Sequence, residues 1–141
     1  LWKIRRVVGE AVKARSVYKE EDTVVPRAEL PILLKGVKEI GLKYGFKSVC
    51  YGHAGDGNLH INIIKDNMSD AAWNDELPKG IREIFNLCID LKGTISGEHG
   101  IGYVQKSYMD IPFSPVELAL QKNIKKLFDP KGIMNPNKVF V

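Results

Sequence analysis

Over residues 1–15 the apolar positions Ile4, Val8 and Val12 recur at every fourth residue, with Val7 and Ala11 alongside, the spacing of an amphipathic helix. Polar residues from Ser16 to Asp22 then predict a loop. Thr23-Val24-Val25 predicts a short strand stopped by Pro26, which has no N–H to give to a ladder. Leu30, Leu33, Leu34, Val37 and Ile40 mark a second helical face, closed by Gly45. Two β-rich runs, Phe46 to Tyr51 and Leu59 to Ile64, flank a glycine-rich turn and predict a β-hairpin. Ile81, Ile84, Phe85, Cys88 and Leu91, at steps of three and four, carry a third helix over about 75–92, with Gly93 as its stop. A fourth helix opens at Ser114-Pro115-Val116-Glu117, a capping box with proline in the first helical position, and is expected to bury Leu120, Ile124, Leu127 and Phe128. The fold class is therefore α+β: a small antiparallel sheet with a central β-hairpin covered by helices, and a helical C-terminal segment. A sheet of so few strands supports a domain only when helices or partners cover it.

The length of 141 residues suits one compact domain. A chain that is 44% hydrophobic and 27% charged is globular rather than disordered. Its 21 Lys and Arg against 17 Asp and Glu leave a net charge of +4, and a nucleic-acid partner is not expected from so mild a bias. The charge is uneven: residues 66–90 hold six acids against two bases, and residues 121–141 hold five bases against one acid. Two solvated helix faces account for this. No apolar run approaches the roughly 20 residues of a transmembrane helix. Leu1-Trp2-Lys3-Ile4-Arg5-Arg6 is charged where the apolar part of a signal peptide would begin. Cys50 and Cys88 cannot make a disulfide framework, so a reducing, cytoplasmic setting is expected and both thiols read as small core residues. The chain opens on Leu rather than Met, in a stretch that already reads as helix, and we expect it to be a piece of something longer.

The most informative stretch is Tyr51-Gly52-His53-Ala54-Gly55-Asp56-Gly57-Asn58-Leu59-His60-Ile61-Asn62. A two-residue Asp56-Gly57 turn predicts that opposed residues have numbers summing to 113, which sets His53 against His60 and Tyr51 against Asn62. Both imidazoles and Asn62 then share one sheet face, since side chains repeat every two residues. Two such histidines can grip a divalent cation. A surface hairpin with incidental histidines accommodates the same spacing. The third histidine of the chain, His99, lies in Gly97-Glu98-His99-Gly100-Ile101-Gly102, where Glu98 is the natural third ligand. Two histidines and one carboxylate leave coordination positions open, as a working metal requires. That glycine loop lacks dinucleotide-binding spacing, and its acidic centre would repel phosphate.

The hairpin, the run Gly93-Thr94-Ile95-Ser96-Gly97-Glu98-His99-Gly100-Ile101-Gly102 and the tail Phe128-Asp129-Pro130-Lys131-Gly132-Ile133-Met134-Asn135-Pro136-Asn137-Lys138-Val139-Phe140 follow in order. Together they resemble the C-terminal domain of FAD-linked oxidases of the vanillyl-alcohol-oxidase superfamily, in the branch of glycolate oxidase, D-lactate dehydrogenase and D-2-hydroxyglutarate dehydrogenase. The resemblance spans nearly the whole chain. It implies part of a ferredoxin-like cap domain, with an N-terminal FAD-binding domain and the first part of the cap not present here. It further implies that His53, His60 and Glu98 hold a divalent ion, often zinc, and that His99 accepts a proton. Asn62 is implied to reach the substrate. Arg5, behind Trp2, and Lys19, behind Tyr18, are implied to face its carboxylate, and Asn135 and Lys138 of the tail are implied to pack toward the flavin.

The activity implied is oxidation of a D-2-hydroxy acid to the 2-oxo acid, with hydride transfer to FAD held mainly by the absent domain. The partners expected are that domain and the small 2-hydroxy acid; assembly into an oligomer is left open. The fragment by itself is expected to be inactive. Two other readings use the same residues: a metal-dependent hydrolase, which lacks an HExxH helix here, and a non-catalytic binding module with an empty site.

Overall fold

The structure, a computed structural model, describes residues 16–140 together with Val7, Ala11 and Ala14. It divides into two compact units, Leu1–Gly97 and Glu98–Val141. Val7, Ala11 and Ala14 are helical, as the opening periodicity predicts, while Ile4, Val8 and Val12 lie outside the described residues. Among the described residues no helix is long and apolar enough to cross a membrane.

The first unit is built on a three-stranded antiparallel sheet: β1 (Tyr18–Val24), β2 (Lys47–His53) and β3 (Asn58–Ile64), in the order β1-β3-β2. The stretch from Tyr18 to Asp22, expected as loop, is most of β1. Its run of charged residues has low strand propensity, but pairing along the whole length of β3 overrides local preference. Pro26 ends the extended segment as expected and caps a short 3₁₀ turn over Arg27–Glu29. Helix α1 (Leu30–Tyr44) follows, closed by Gly45 at φ 73°, and buries Leu33 and Val37. Helix α2 (Leu77–Asp90) is preceded by a π-helical turn over Ala72–Glu76. The third predicted helix is thus broken where Pro78, which has no N–H, is tolerated only in the first α-helical turn. Ile81, Ile84, Phe85 and Cys88 form the buried face of α2. The left-handed residue at its end is Lys92, φ 61°, rather than Gly93, whose N–H donates to the Cys88 carbonyl at 2.8 Å.

The two helices cover one face of the sheet. Lys38 of α1 donates to Ser48 Oγ at 3.3 Å, and Trp73 sits beside Lys19, so the helix-covered face is that of Leu59, Ile61 and Ile63. Leu33, Val37, Ile61, Ile63, Leu77, Ile84 and Phe85 make the core. Fully burying each such side chain contributes about 1.5–3 kcal/mol.

In the second unit, helix α3 (Pro115–Phe128) carries the predicted capping box: Ser114 N–H donates to Glu117 Oε2 at 2.7 Å, and Ser114 Oγ accepts from Glu117 N. Its expected buried face is a correction. Leu120, Ile124, Leu127 and Phe128 are 60%, 51%, 78% and 78% exposed, and α3 buries no residue. The amphipathic spacing is real, but among the described residues of this unit none covers it. The tail is fixed by Asp129, whose carboxylate accepts from Ile133 N and Met134 N at 3.0 Å each.

Candidate functional site

The second face of the sheet is set by strand register. Along β1, positions 20 and 22 stand opposite Asn62 and His60, and along β2, positions 51 and 53 stand opposite His60 and Asn58. One face therefore displays Glu20 and Asp22, Asn58, His60 and Asn62, and Tyr51 and His53.

The hairpin register corrects the expected one. Paired residues of β2 and β3 sum to 111, not 113, because the connection is the four-residue segment Ala54-Gly55-Asp56-Gly57. Asp56 N donates to the His53 carbonyl at 2.9 Å, a turn bond, and Gly57 then takes φ 74°. Gly57 packs so closely on the segment after β1 that a Cβ there would collide with the Val25 carbonyl, while Val25 N donates to the Gly57 carbonyl at 3.0 Å. A slip of two residues preserves side-chain parity, so His53 and His60 stay on one face as diagonal neighbours. Their rings are 6.0 Å apart and nearly perpendicular. Tyr51, directly opposite His60, lies 5.5 Å from it.

His60 is 5% exposed and Asn62 is 1% exposed. His60 Nδ1 lies 3.1 Å from Glu20 Oε1 and 4.0 Å from Asp22 Oδ1. Asp22 Oδ1 accepts from Asn58 Nδ2 at 2.6 Å, and its Oδ2 accepts from Gly97 N at 2.9 Å. Gly97 fits only without a side chain: a Cβ would meet Val24 Cγ2 at 2.7 Å and Asp22 Oδ1 at 2.8 Å. Neither the amide nitrogen nor the amide oxygen of Asn62 has a hydrogen-bond partner among the described residues. A buried, unsatisfied amide costs about 1–3 kcal/mol, which suits a group kept for a ligand. Two imidazoles beside carboxylates form a donor set that suits a borderline cation such as zinc.

The structure thus brings His53, His60 and Asn62 to one face. It does not bring Lys19 there, because odd positions of β1 point to the helix-covered side; Lys19 Nζ donates to the Trp73 carbonyl at 3.3 Å and lies 5.0 Å from the indole centre. Arg5 lies outside the described residues. Glu98 and His99 open the second unit, both half-exposed, with His99 Nε2 3.9 Å from Glu98 Oε1. In the tail, Asn135 takes φ 47° and its carbonyl accepts from Lys138 N at 3.3 Å. Lys138 Nζ lies 5.0 Å from the Tyr103 ring centre, and Lys106 Nζ lies 4.4 Å from it. Glu20 and Asp22 were hidden from sequence reasoning by the loop expected there, and no polar–apolar alternation marks them, since Lys19 and Glu21 beside them are charged too. Both cysteines are free, and burial pushes the Cys88 thiol up to about 11 against the opposing hydrogen bonds to the Thr94 and Val24 carbonyls. Burial raises Cys50 as well.

Residues 1–139 match the model of the C-terminal domain of FAD-linked oxidases. The chain is 38% identical to a D-2-hydroxyglutarate dehydrogenase of Stutzerimonas stutzeri, covering 99% of the chain and 31% of that protein. It is 32% identical to a D-lactate dehydrogenase of Anaerostipes hadrus, covering 98% of the chain and 29% of that protein. It is 37% identical to the glycolate oxidase subunit GlcD of Bacillus subtilis, over 85% of the chain and 25% of that protein. The chain spans about a third or less of the length of these relatives. A match over almost every residue, with the histidine-bearing hairpin inside it, has one consequence: the chain belongs to the FAD-linked oxidases, as a C-terminal domain of that family.

Proposed function

We propose that this chain is the substrate- and metal-binding part of a flavin-dependent dehydrogenase that oxidises a D-2-hydroxy acid, of the glycolate, D-lactate or D-2-hydroxyglutarate type, to the 2-oxo acid. The reading rests chiefly on the pair His53 and His60 on one sheet face beside the unsatisfied amide of Asn62. His53 and His60 supply two ligands, and Glu98 supplies the third. Glu98 follows directly on Gly97, the residue that Asp22 anchors. A divalent ion held there, zinc by its donor set, supplies Lewis acidity toward the substrate hydroxyl when bound. Flavin, held mainly by the rest of the longer protein with Asn135 and Lys138 as contacts from the tail, supplies the two-electron acceptor.

The substrate must lose a proton from its hydroxyl and a hydride from Cα. His99 takes the proton, the general-base role that imidazole most often fills. Asn62 gives its amide to the bound acid, and Arg5 pairs with the carboxylate, whose two oxygens match a guanidinium fork. Lys19, also expected at the carboxylate, has its ammonium at the Trp73 carbonyl in this structure. The exposed apolar row of α3 is the surface that meets the FAD-binding part of the same protein.

The test is anaerobic mixing of the full-length flavoprotein with D-lactate, D-2-hydroxyglutarate or glycolate. At least one should bleach the oxidised flavin, and for the chiral acids the L enantiomer should not. His99→Ala should retain metal and slow the bleaching by about a hundredfold or more. Flavin that none of these acids reduces would refute the reading, and an unchanged rate in His99→Ala would remove that residue as the base.

A further inference from the structure

The face that carries His53 and His60 also carries two carboxylates from β1, and they are not equivalent. Asp22 is 2% exposed and committed: its oxygens take the Asn58 amide and the Gly97 N–H, and its approach to His60 is only 4.0 Å. Glu20 stands opposite Asn62, one step along the same face, and brings Oε1 to 3.1 Å from His60 Nδ1. The His60 side chain is 7% exposed and that of Glu20 is 23% exposed, so their contact is largely withdrawn from water. A carboxylate at one ring nitrogen fixes which nitrogen carries the hydrogen, holds the ring in one orientation and raises the basicity of the other nitrogen.

We propose that Glu20 is a positioning residue for His60: its carboxylate, 3.1 Å from Nδ1 though outside hydrogen-bond geometry in this structure, accepts the Nδ1–H once a cation at Nε2 aligns the ring, so that Nε2 presents its lone pair. This rests on His60 being a metal ligand. Glu20 touches neither substrate nor flavin in this scheme and acts only through the imidazole. Its charge also adds to the field that draws a divalent cation to this face.

The experiment is zinc affinity of the full-length flavoprotein, by competition with a chromophoric chelator, for the native sequence, Glu20→Gln, Glu20→Leu and His60→Ala. Thermal unfolding of each metal-free protein runs beside it. Glu20→Leu, which removes both acceptor and charge, should weaken zinc by about 100-fold, and Glu20→Gln, which keeps an acceptor without the charge, by about tenfold. Metal-free stability should change little in the glutamine variant, and its cobalt(II)-loaded form should show shifted ligand-field bands, which a purely structural residue would not move. Should Glu20→Leu fail to fold, the glutamine variant decides alone. Native zinc affinity in the Glu20 variants, with affinity lost in His60→Ala, would overturn the positioning role and leave His60 a ligand. Loss of zinc in Glu20→Gln as complete as in His60→Ala would make Glu20 a ligand and likewise overturn it. Native affinity in His60→Ala would overturn both this role and the ligand assignment beneath it.

Discussion

Cys88 is a buried thiol on the inner face of α2, donating to the carbonyls of Val24 at 3.4 Å and Thr94 at 3.2 Å. With its pKa pushed up to about 11, only about one thiol in a thousand is thiolate at pH 8, and the thiolate is the reacting form. A thiol reagent at pH 8 should therefore modify Cys88 no faster than the protein unfolds, as followed by mass spectrometry of the peptide that contains it. Rapid stoichiometric labelling in the native state would show that this part of the core is open. The same residue-scale economy holds at Asp22. One buried carboxylate takes hydrogen bonds from Asn58 on β3 and from Gly97, so a single side chain joins the histidine strand to the residue that precedes Glu98.

At the scale of elements, α1 and α2 are tied on their outer side by Glu83, which accepts from Lys43 Nζ at 2.5 Å and from Tyr44 OH at 2.7 Å. The hydrogen bond from Lys43, then that from Tyr44, holds the Glu83 carboxyl below its ordinary value, and the same pair holds Lys43 above its own. A carboxylate with a depressed folded pKa stabilises above the unfolded value, about 4.3, and that contribution is lost as pH falls through the folded value. The Lys43 contribution persists until pH rises through its raised value. Glu83→Gln should thus lower stability in urea unfolding at pH 7 and make no difference once pH is below both carboxyl values. The effect is small, as befits an exposed pair, and an equal deficit at all pH values would assign it to packing instead. The helices were legible because Leu33, Val37, Ile81, Ile84, Phe85 and Cys88 repeat at helical spacing and are buried. β1 was not, because both of its faces carry charged residues, Glu20 and Asp22 on one and Lys19 and Glu21 on the other, which erases the alternation that announces a strand. The two histidines survived an error in register because a slip of two keeps parity; a slip of one would have put them on opposite faces. The exposed row on α3 was misjudged because spacing reports that a helix has an apolar side, not what covers it.

At the scale of the whole molecule, the proposed function gives the binding and positioning part of an oxidase to a sheet face with two histidines, two carboxylates and an asparagine amide unsatisfied among the described residues, and the relatives are three to four times longer than the chain. The family and the placement of both hairpin histidines on one face were readable in the sequence, whereas the carboxylates around His60 needed the register of β1 against β3. The most direct measurement is metal content per polypeptide in the purified full-length protein, compared between the native sequence, His53→Ala and Glu98→Ala. The native protein should carry a stoichiometric divalent ion, and each variant should have lost it, together with most of its turnover. Stoichiometric metal retained in either variant would contradict the assignment of His53, His60 and Glu98 as the ligands.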